Sequence, residues 1–385
     1  MKVMLSCGEP SGDLYAGALT TELRDLEPEV QVFGLGGERF EAAGGRLVAS
    51  YKGLTVTGLA EVLSVLPHSW RVYRSLVATA RSERPDVLVL IDYPDFNFRL
   101  GQAVAGLGVP VVYYICPQVW AWRASRLATM RRFVSRALVI FPFETSIYEE
   151  ADIPVSFVGH PLLELARPAR DREAFREATG LDQTAPLVAL LPGSRPNELR
   201  AILPDLIGAA RLIRDQVPRA QFVVARAPAL SDELFRPLAE LTPQPLLVAS
   251  SSDDVLNAAD VVLTASGTAT VQTAIHGRPM VVVYRLSRLS YWIGRRFVRV
   301  DAFGMVNLVT GRKVVPELLQ QEFTPEAVAA EAVRFLSDDA HAAATRADLR
   351  SVRDALGGPG ASARVAQRIL EVARRSDLDA RIPDR

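Results

Sequence analysis

The chain has 385 residues, which at about 100–200 residues per domain makes two or three folded units. Hydrophobic residues make up 49% and charged residues 23%, so the chain can bury a large core and is too apolar to be mainly disordered. Its 44 basic and 44 acidic residues balance, which leaves no net positive field to draw it to nucleic acid.

Cys7 and Cys116 lie in apolar segments without metal-like spacing, which argues against a disulfide framework or a zinc site and makes a reducing compartment the default. The first residues reach Glu9 and Asp13 too early for a secretory h-region. The uncharged stretch 100–122 is long enough to span a bilayer, but its glycines, Pro110, Pro117, Gln102 and Gln118 mark it as helix end, strand and loop.

Taken in chain order, β-branched runs at 3–7, 31–33, 87–91, 111–115, 138–141 and 155–158 alternate with amphipathic segments. After a polar stretch at 167–176 a second series runs through 187–191, 222–225, 246–249, 261–264 and 280–284, and from Thr324 onward the pattern is helical. This predicts an α/β protein of two Rossmann-like, doubly wound parallel-sheet domains, 1–165 and 166–345, followed by C-terminal helices at 346–385. Two such sheets in tandem would face a cleft, and ligands sit outside the carboxyl ends of the strands.

The first strand runs into Ser6-Cys7-Gly8-Glu9-Pro10-Ser11-Gly12-Asp13, either a dock for a small or anionic group or a tight strand-to-helix turn. Run 87–91 leads into Asp92-Tyr93-Pro94-Asp95-Phe96-Asn97, which places two carboxylates and an amide at a strand end. A carboxylate partly desolvated there can take a proton from a substrate hydroxyl; the alternatives are helix capping by Asp92 or Asp95, or a metal-binding D-x-x-D pair. The run 111–115 ends in Pro117-Gln118-Val119-Trp120-Ala121-Trp122, where Trp120 and Trp122 either offer a flat apolar ligand surface or fill a core. His160, in Val158-Gly159-His160-Pro161, either donates to a phosphate or caps the domain junction, whereas His68, His276 and His341 show no constellation. In the second series, Leu191-Pro192-Gly193-Ser194-Arg195 combines backbone N–H groups, a helix N-terminus and a guanidinium, which suits a diphosphate. Thr264-Ala265-Ser266-Gly267-Thr268-Ala269-Thr270-Val271-Gln272 supplies a second helix start of this kind, the alternative for each being ordinary turn and capping chemistry.

In order and spacing these motifs, with Phe141-Pro142-Phe143-Glu144, resemble the lipid-A-disaccharide synthase family over nearly the whole chain. Asn307 and Val315-Pro316-Glu317-Leu318-Leu319-Gln320 resemble that family's late motif. The resemblance implies a GT-B glycosyltransferase that joins UDP-2,3-diacylglucosamine to 2,3-diacylglucosamine 1-phosphate by a β-1′,6 linkage and releases UDP, with inversion. It puts the catalytic aspartate on Asp92 and the diphosphate arginine on Arg195. The donor side then comprises Arg195, Gly193, Ser194, Ser266, Gly267, Thr268, Thr270, Gln272 and Asn307, and the acceptor side Gly8, Ser11, Asp13, Asp95, Asn97, Trp120, Trp122 and His160. Two positions depart from the family pattern: Tyr15 where histidine is common, and Gln272 where many members carry a glutamate that holds the ribose diol.

Neither a cofactor nor a metal is expected. The implied partners are the two diacylated sugars, a membrane surface and a second copy of the chain as a homodimer, with no nucleic acid, and the implied location is cytoplasmic, peripheral on the inner face of the cytoplasmic membrane. Two segments suit such a surface: 58–81, which mixes Leu66, Trp70 and Tyr73 with Arg71 and Arg74, and the arginine-rich 285–299. The rival readings are another GT-B enzyme acting on a UDP-amino sugar, an epimerase, or a nucleotide-sugar binder without turnover. A dehydrogenase is disfavoured because neither sheet carries a dinucleotide fingerprint.

Overall fold

The structure, a computed structural model, describes residues 1–54, 59–118, 125–228, 230–249, 251–285 and 304–379. Seven parallel strands form the first sheet: β1 (Lys2–Cys7), β2 (Gln31–Gly36), β3 (Arg46–Ser50), β4 (Val87–Ile91), β5 (Val111–Tyr114), β6 (Arg136–Val139) and β7 (Val155–Phe157), in the order β3-β2-β1-β4-β5-β6-β7. Six form the second: β8 (Leu187–Leu191), β9 (Gln221–Ala225), β10 (Leu246–Val248), β11 (Val261–Ala265), β12 (Met280–Tyr284) and β13 (Glu317–Leu319), in the order β10-β9-β8-β11-β12-β13. Every residue of β4 and of β8 is buried. Helices cover both faces of a doubly wound sheet, which is why these strands read as unbroken apolar runs rather than alternations.

Two edge strands went unmarked by the apolar runs. β3 begins at an exposed arginine and its remaining residues are half-buried. β13 is three residues long and opens on Glu317. An edge strand is covered on one side only, so neither needs the apolar run that marks a central strand.

The chain divides into two compact units, Met1–Pro161 with Leu356–Arg385, and Leu162–Ala355. The C-terminal helices, a single block at 346–385 by sequence, are therefore shared between them. Helix Asp339–Ala355 packs within the second unit on helices Thr268–Ile275 and Met305–Thr310, while helix Ala361–Asp379 packs on helix α1 (Pro10–Leu26) and on β4 and β5 of the first. Backbone bonds secure the return to the first unit. The His160 N–H donates to the Leu356 carbonyl at 2.9 Å, and the Arg364 guanidinium donates to the carbonyls of Val158, Pro359 and Gly358, each at 2.8 Å.

Within the second unit the fully buried Arg176 anchors helix Arg172–Thr179 to the sheet. Its guanidinium donates to the carbonyls of Asp182, Gln183, Ala185 and Ala258 and to the Asp260 carboxylate at 3.1 Å. A buried charge with this many acceptors is compensated, and removal of either partner would strand the other.

His160 is 2% exposed and packs edge-on against Phe141 with ring centroids 5.4 Å apart. Burial pushes its imidazole down to about 3 from the usual 6.5, so it stays neutral at physiological pH. A folded-state value below the unfolded one means that the unfolded chain takes up a proton first on acidification, so stability is lost as pH falls from about 6.5 toward about 3. Urea unfolding of His160→Gln should therefore show a shallower loss of stability between these limits than the parent, by up to about 1.4 kcal/mol per pH unit.

Candidate functional site

In each sheet the strand order reverses once, between β1 and β4 in the first and between β8 and β11 in the second. At such a switch point the connections leave in opposite directions, one to each face, and open a crevice at the strand carboxyl ends. Cys7 pairs with Ile91 and Leu191 with Thr264 at the last rungs, so the loops that follow stand side by side within their own unit. The two acid-bearing motifs of the first half, at 6–13 and 92–97, and the two glycine-and-hydroxyl motifs of the second thus fall at the two switch points.

Four helices start there: α1, α4 (Pro94–Ala105), Pro196–Gln216 and Thr268–Ile275. None has a side chain closing its N-cap, whereas Asp171, Ser251 and Thr324 close helices elsewhere in the second unit. Helix N-termini of this kind present backbone N–H groups and positive dipole ends to an anion.

In the first unit Asp92 and Tyr93 both adopt left-handed backbone, with φ of 46° and 50°. This turns the chain sharply from β4 into α4 and leaves the Asp92 side chain half-buried beyond the strand end. The hydroxyls of Tyr15 and Tyr113 are pushed above the usual phenol range, mainly by burial and next by the negative charge of Asp92. Gly8 closes the other side of the crevice: a Cβ at this position would come within 2.2 Å of the Tyr93 ring, so the β1 loop can pass only as glycine. Ser11 sits half-buried in the first turn of α1. Asp95 lies in the first turn of α4, exposed and paired with Arg126 at 2.5 Å.

Several candidate contacts turn out to be committed to the protein itself. Asp13, a candidate for the acceptor side, is 3% exposed and accepts from the backbone N–H groups of Gly37, Arg39 and Phe40 at 2.7, 3.0 and 3.1 Å. It caps helix Glu38–Ala42 from a distance, because Gly37 at that helix's N-cap has no side chain to do so. Asn97 is fully buried, its amide directed to backbone carbonyls of β1 and β4. His160 lies in the buried junction described above. Trp120 and Trp122 lie outside the described residues.

In the second unit Arg195 and Ser194 are exposed at the start of helix Pro196–Gln216. Glu198 folds back over this turn, accepting from Ser194 N–H at 3.2 Å and from Arg195 at 3.4 Å, and Gly193 runs beside it at φ 119°. The Tyr284 hydroxyl is raised by burial and by Glu198, and lowered by Arg195, so it shares this neighbourhood. Across the switch point Gly267 adopts φ 150° and ψ −159°, a conformation open only to glycine, so Ser266 and the exposed Thr268 flank a bare backbone turn. Thr270 is buried, its hydroxyl bonded to the Gly267 carbonyl at 2.8 Å.

Asn307, a candidate for the donor side, is 2% exposed. Its side chain accepts from Val314 and Val315 N–H at 2.7 and 3.1 Å and donates to the Val315 carbonyl and Glu317, so it shapes the loop before β13. Gln272 donates to the carboxylate of Asp253 at 2.7 Å and to the Ser252 hydroxyl at 3.2 Å, and His276 Nε2 lies 2.8 Å from the same carboxylate. His276 therefore belongs to a constellation that the sequence leaves hidden. Its spacing of i, i+4 from Gln272 was a usable signal, but nothing in the sequence ties either residue to Asp253, 19 and 23 positions upstream.

If Asp13 is a cap rather than a ligand contact, Asp13→Ala should lower unfolding free energy by about 2 kcal/mol by leaving three backbone donors unmatched. Chemical denaturation would measure the loss, and the KM of the folded fraction for its substrates should stay within about twofold of the parent.

The comparisons with known proteins converge with this geometry. A family model described as lipid-A-disaccharide synthetase matches residues 3–371. The lipid-A-disaccharide synthase of Geobacter metallireducens is 42% identical over 372 residues, covering 96% of this chain and 97% of that one. That of Koribacter versatilis is 42% identical over 384 residues, 98% and 100%. Among solved structures, the UDP-GlcNAc 2-epimerase of Neisseria meningitidis bound to UDP-GlcNAc superposes with a TM-score of 0.71 at 12% identity, covering 96% of this chain and all of that one. The glycotransferase of kitacinnamycin superposes with a TM-score of 0.61 at 19% identity, over 96% and 98%. The structural likenesses establish a GT-B architecture shared by transferases and epimerases. The sequence match, continuous through both switch points and into the last helix, goes further: the chain belongs to the lipid-A-disaccharide synthetase family and is a glycosyltransferase.

Proposed function

We propose that the chain joins UDP-2,3-diacylglucosamine to 2,3-diacylglucosamine 1-phosphate, forming the β-1′,6 linkage with inversion and releasing UDP. The observation that carries this reading is the half-buried Asp92 carboxylate at the β1/β4 switch point of a chain matched to the family from residue 3 to 371. Asp92 accepts the proton of the acceptor 6-hydroxyl as that oxygen bonds to the anomeric carbon of the donor, and the bond from that carbon to the diphosphate breaks. Tyr15 and Tyr113 stay protonated well above physiological pH, so neither competes with Asp92 as a base.

The leaving diphosphate carries its negative charge to the second unit. Arg195 and the N-termini of helices Pro196–Gln216 and Thr268–Ile275 supply positive charge and N–H donors, with Ser266 and Thr268 beside them. The nucleoside end falls to Gln272, whose amide Nε2 is already engaged by Asp253 and Ser252. The negative charge that a glutamate would bring to this position resides instead on Asp253, 2.7 Å away.

Both sugars carry acyl chains, so the acceptor side must reach a lipid surface. Helix α3 (Leu59–Glu83) exposes Leu66 and Trp70, 51% and 54% accessible, with Trp70 stacked on Tyr73 at 5.2 Å and Arg71 and Arg74 exposed alongside. Aromatic and aliphatic tips among arginines fit an interfacial helix. The second candidate stretch lies outside the described residues from 286 onward. No helix among the described residues is long and apolar enough to cross a membrane.

UDP release should require both the donor and the diacylated 1-phosphate acceptor, and Asp92→Asn should reduce it by about 100-fold or more. Release that proceeds equally without acceptor, or that survives in Asp92→Asn within about tenfold, removes the transfer role from this carboxylate. Anionic liposomes should sediment the protein at low salt, and Leu66→Ser with Trp70→Ser should abolish most of that sedimentation while leaving the thermal midpoint unchanged.

A further inference from the structure

The turn that carries Asp92 is two consecutive left-handed residues with no glycine at either position. A non-glycine residue is sterically disfavoured in this conformation, so something must hold it. The backbone carbonyl of Asp92 accepts two hydrogen bonds, from the Asn97 amide at 2.7 Å and from the Tyr113 hydroxyl at 2.9 Å. The same Asn97 nitrogen faces the carbonyls of Ile91 at 3.2 Å and Ser6 at 3.4 Å, while its amide oxygen accepts from the Ser6 hydroxyl at 2.7 Å. Ser6, Asn97 and Tyr113 are all fully buried.

From this arrangement we infer that Asn97 and Tyr113 are positioning residues for Asp92, holding its peptide so that the carboxylate projects beyond the strand end. The inference rests on Asp92 being the proton acceptor. Both lone-pair directions of one carbonyl are taken up by donors from different elements, Asn97 on α4 and Tyr113 on β5, so the peptide has no freedom to rotate toward the ordinary right-handed region. The Asp92 N–H bonds to the Tyr114 carbonyl at 3.3 Å, so the other side of the residue is tied to β5 as well. Ser6 completes the chain from β1. The two strands that border the switch point and the one beyond it thus converge on a single residue. Asn97 bonds no group beyond this turn and its two flanking strands in that network, which distinguishes it from a general core amide.

Tyr113→Phe is the clean test, because it removes one hydroxyl and keeps the ring that packs edge-on against Phe98 at 6.1 Å. It should lower kcat about tenfold, leave KM for both sugars within about twofold, and shift the thermal midpoint little. Asn97→Ala should lower kcat further. Where it unfolds the protein, Tyr113→Phe decides alone.

The same Tyr113→Phe change made in the Asp92→Asn background should alter the residual rate by less than about twofold, since a positioning residue has nothing left to position. The proposal is overturned if Tyr113→Phe keeps kcat within about twofold of the parent, or if it costs the same factor in both backgrounds. Activity of Asp92→Asn within about tenfold of the parent would instead show that the base assignment is at fault, and the positioning role would fall with it.

Discussion

The reversal of strand order inside each sheet is the constraint on which the site depends. A parallel sheet sends every connection back over one face or the other, and only where the direction changes do two neighbouring strand ends stay uncovered. At these points stand left-handed residues after β4, a glycine under an aromatic ring after β1, and a glycine-only turn after β11.

The buried polar residues show how the loops are kept in shape. Asp13 gathers three backbone donors, Asn97 three backbone carbonyls, and Asn307 two donors and two acceptors in the loop before β13. Asp13 acts on backbone 24 to 27 positions away and Asn97 reaches 91 positions to Ser6, while Asn307 holds the loop that follows its own helix. A buried polar group left unmatched costs about 1–3 kcal/mol, so these residues specify one loop conformation against many.

In the first unit the charge of Asp92 acts on two buried phenols, Tyr15 and Tyr113. Burial keeps Tyr15 and Tyr113 protonated. The second unit has the opposite character, with Arg195 and two helix N-termini exposed around bare glycine turns. In the proposed transfer, acid–base work falls to the first unit and anion binding to the second, which suits a reaction in which an alcohol loses a proton and a diphosphate leaves.

The alternation of apolar runs with helical segments was enough to read the doubly wound class, because strands covered on both faces must be apolar throughout; the central runs at 87–91 and 187–191 coincide with β4 and β8. The positions of Asp92 and Arg195 at strand ends were legible for the same reason, since a strand's end is where its apolar run stops. What the sequence could not carry was which polar residues turn inward. Asp13, Asn97 and Asn307 sit in the same motifs as exposed neighbours, and their partners lie up to 91 residues away. The edge strands and the split of the last helices between two units also depended on contacts between distant segments. Local pattern fixes the element and its end, because both are set by burial of adjacent residues; the fate of a hydrogen-bonding side chain is decided by whatever the fold brings beside it.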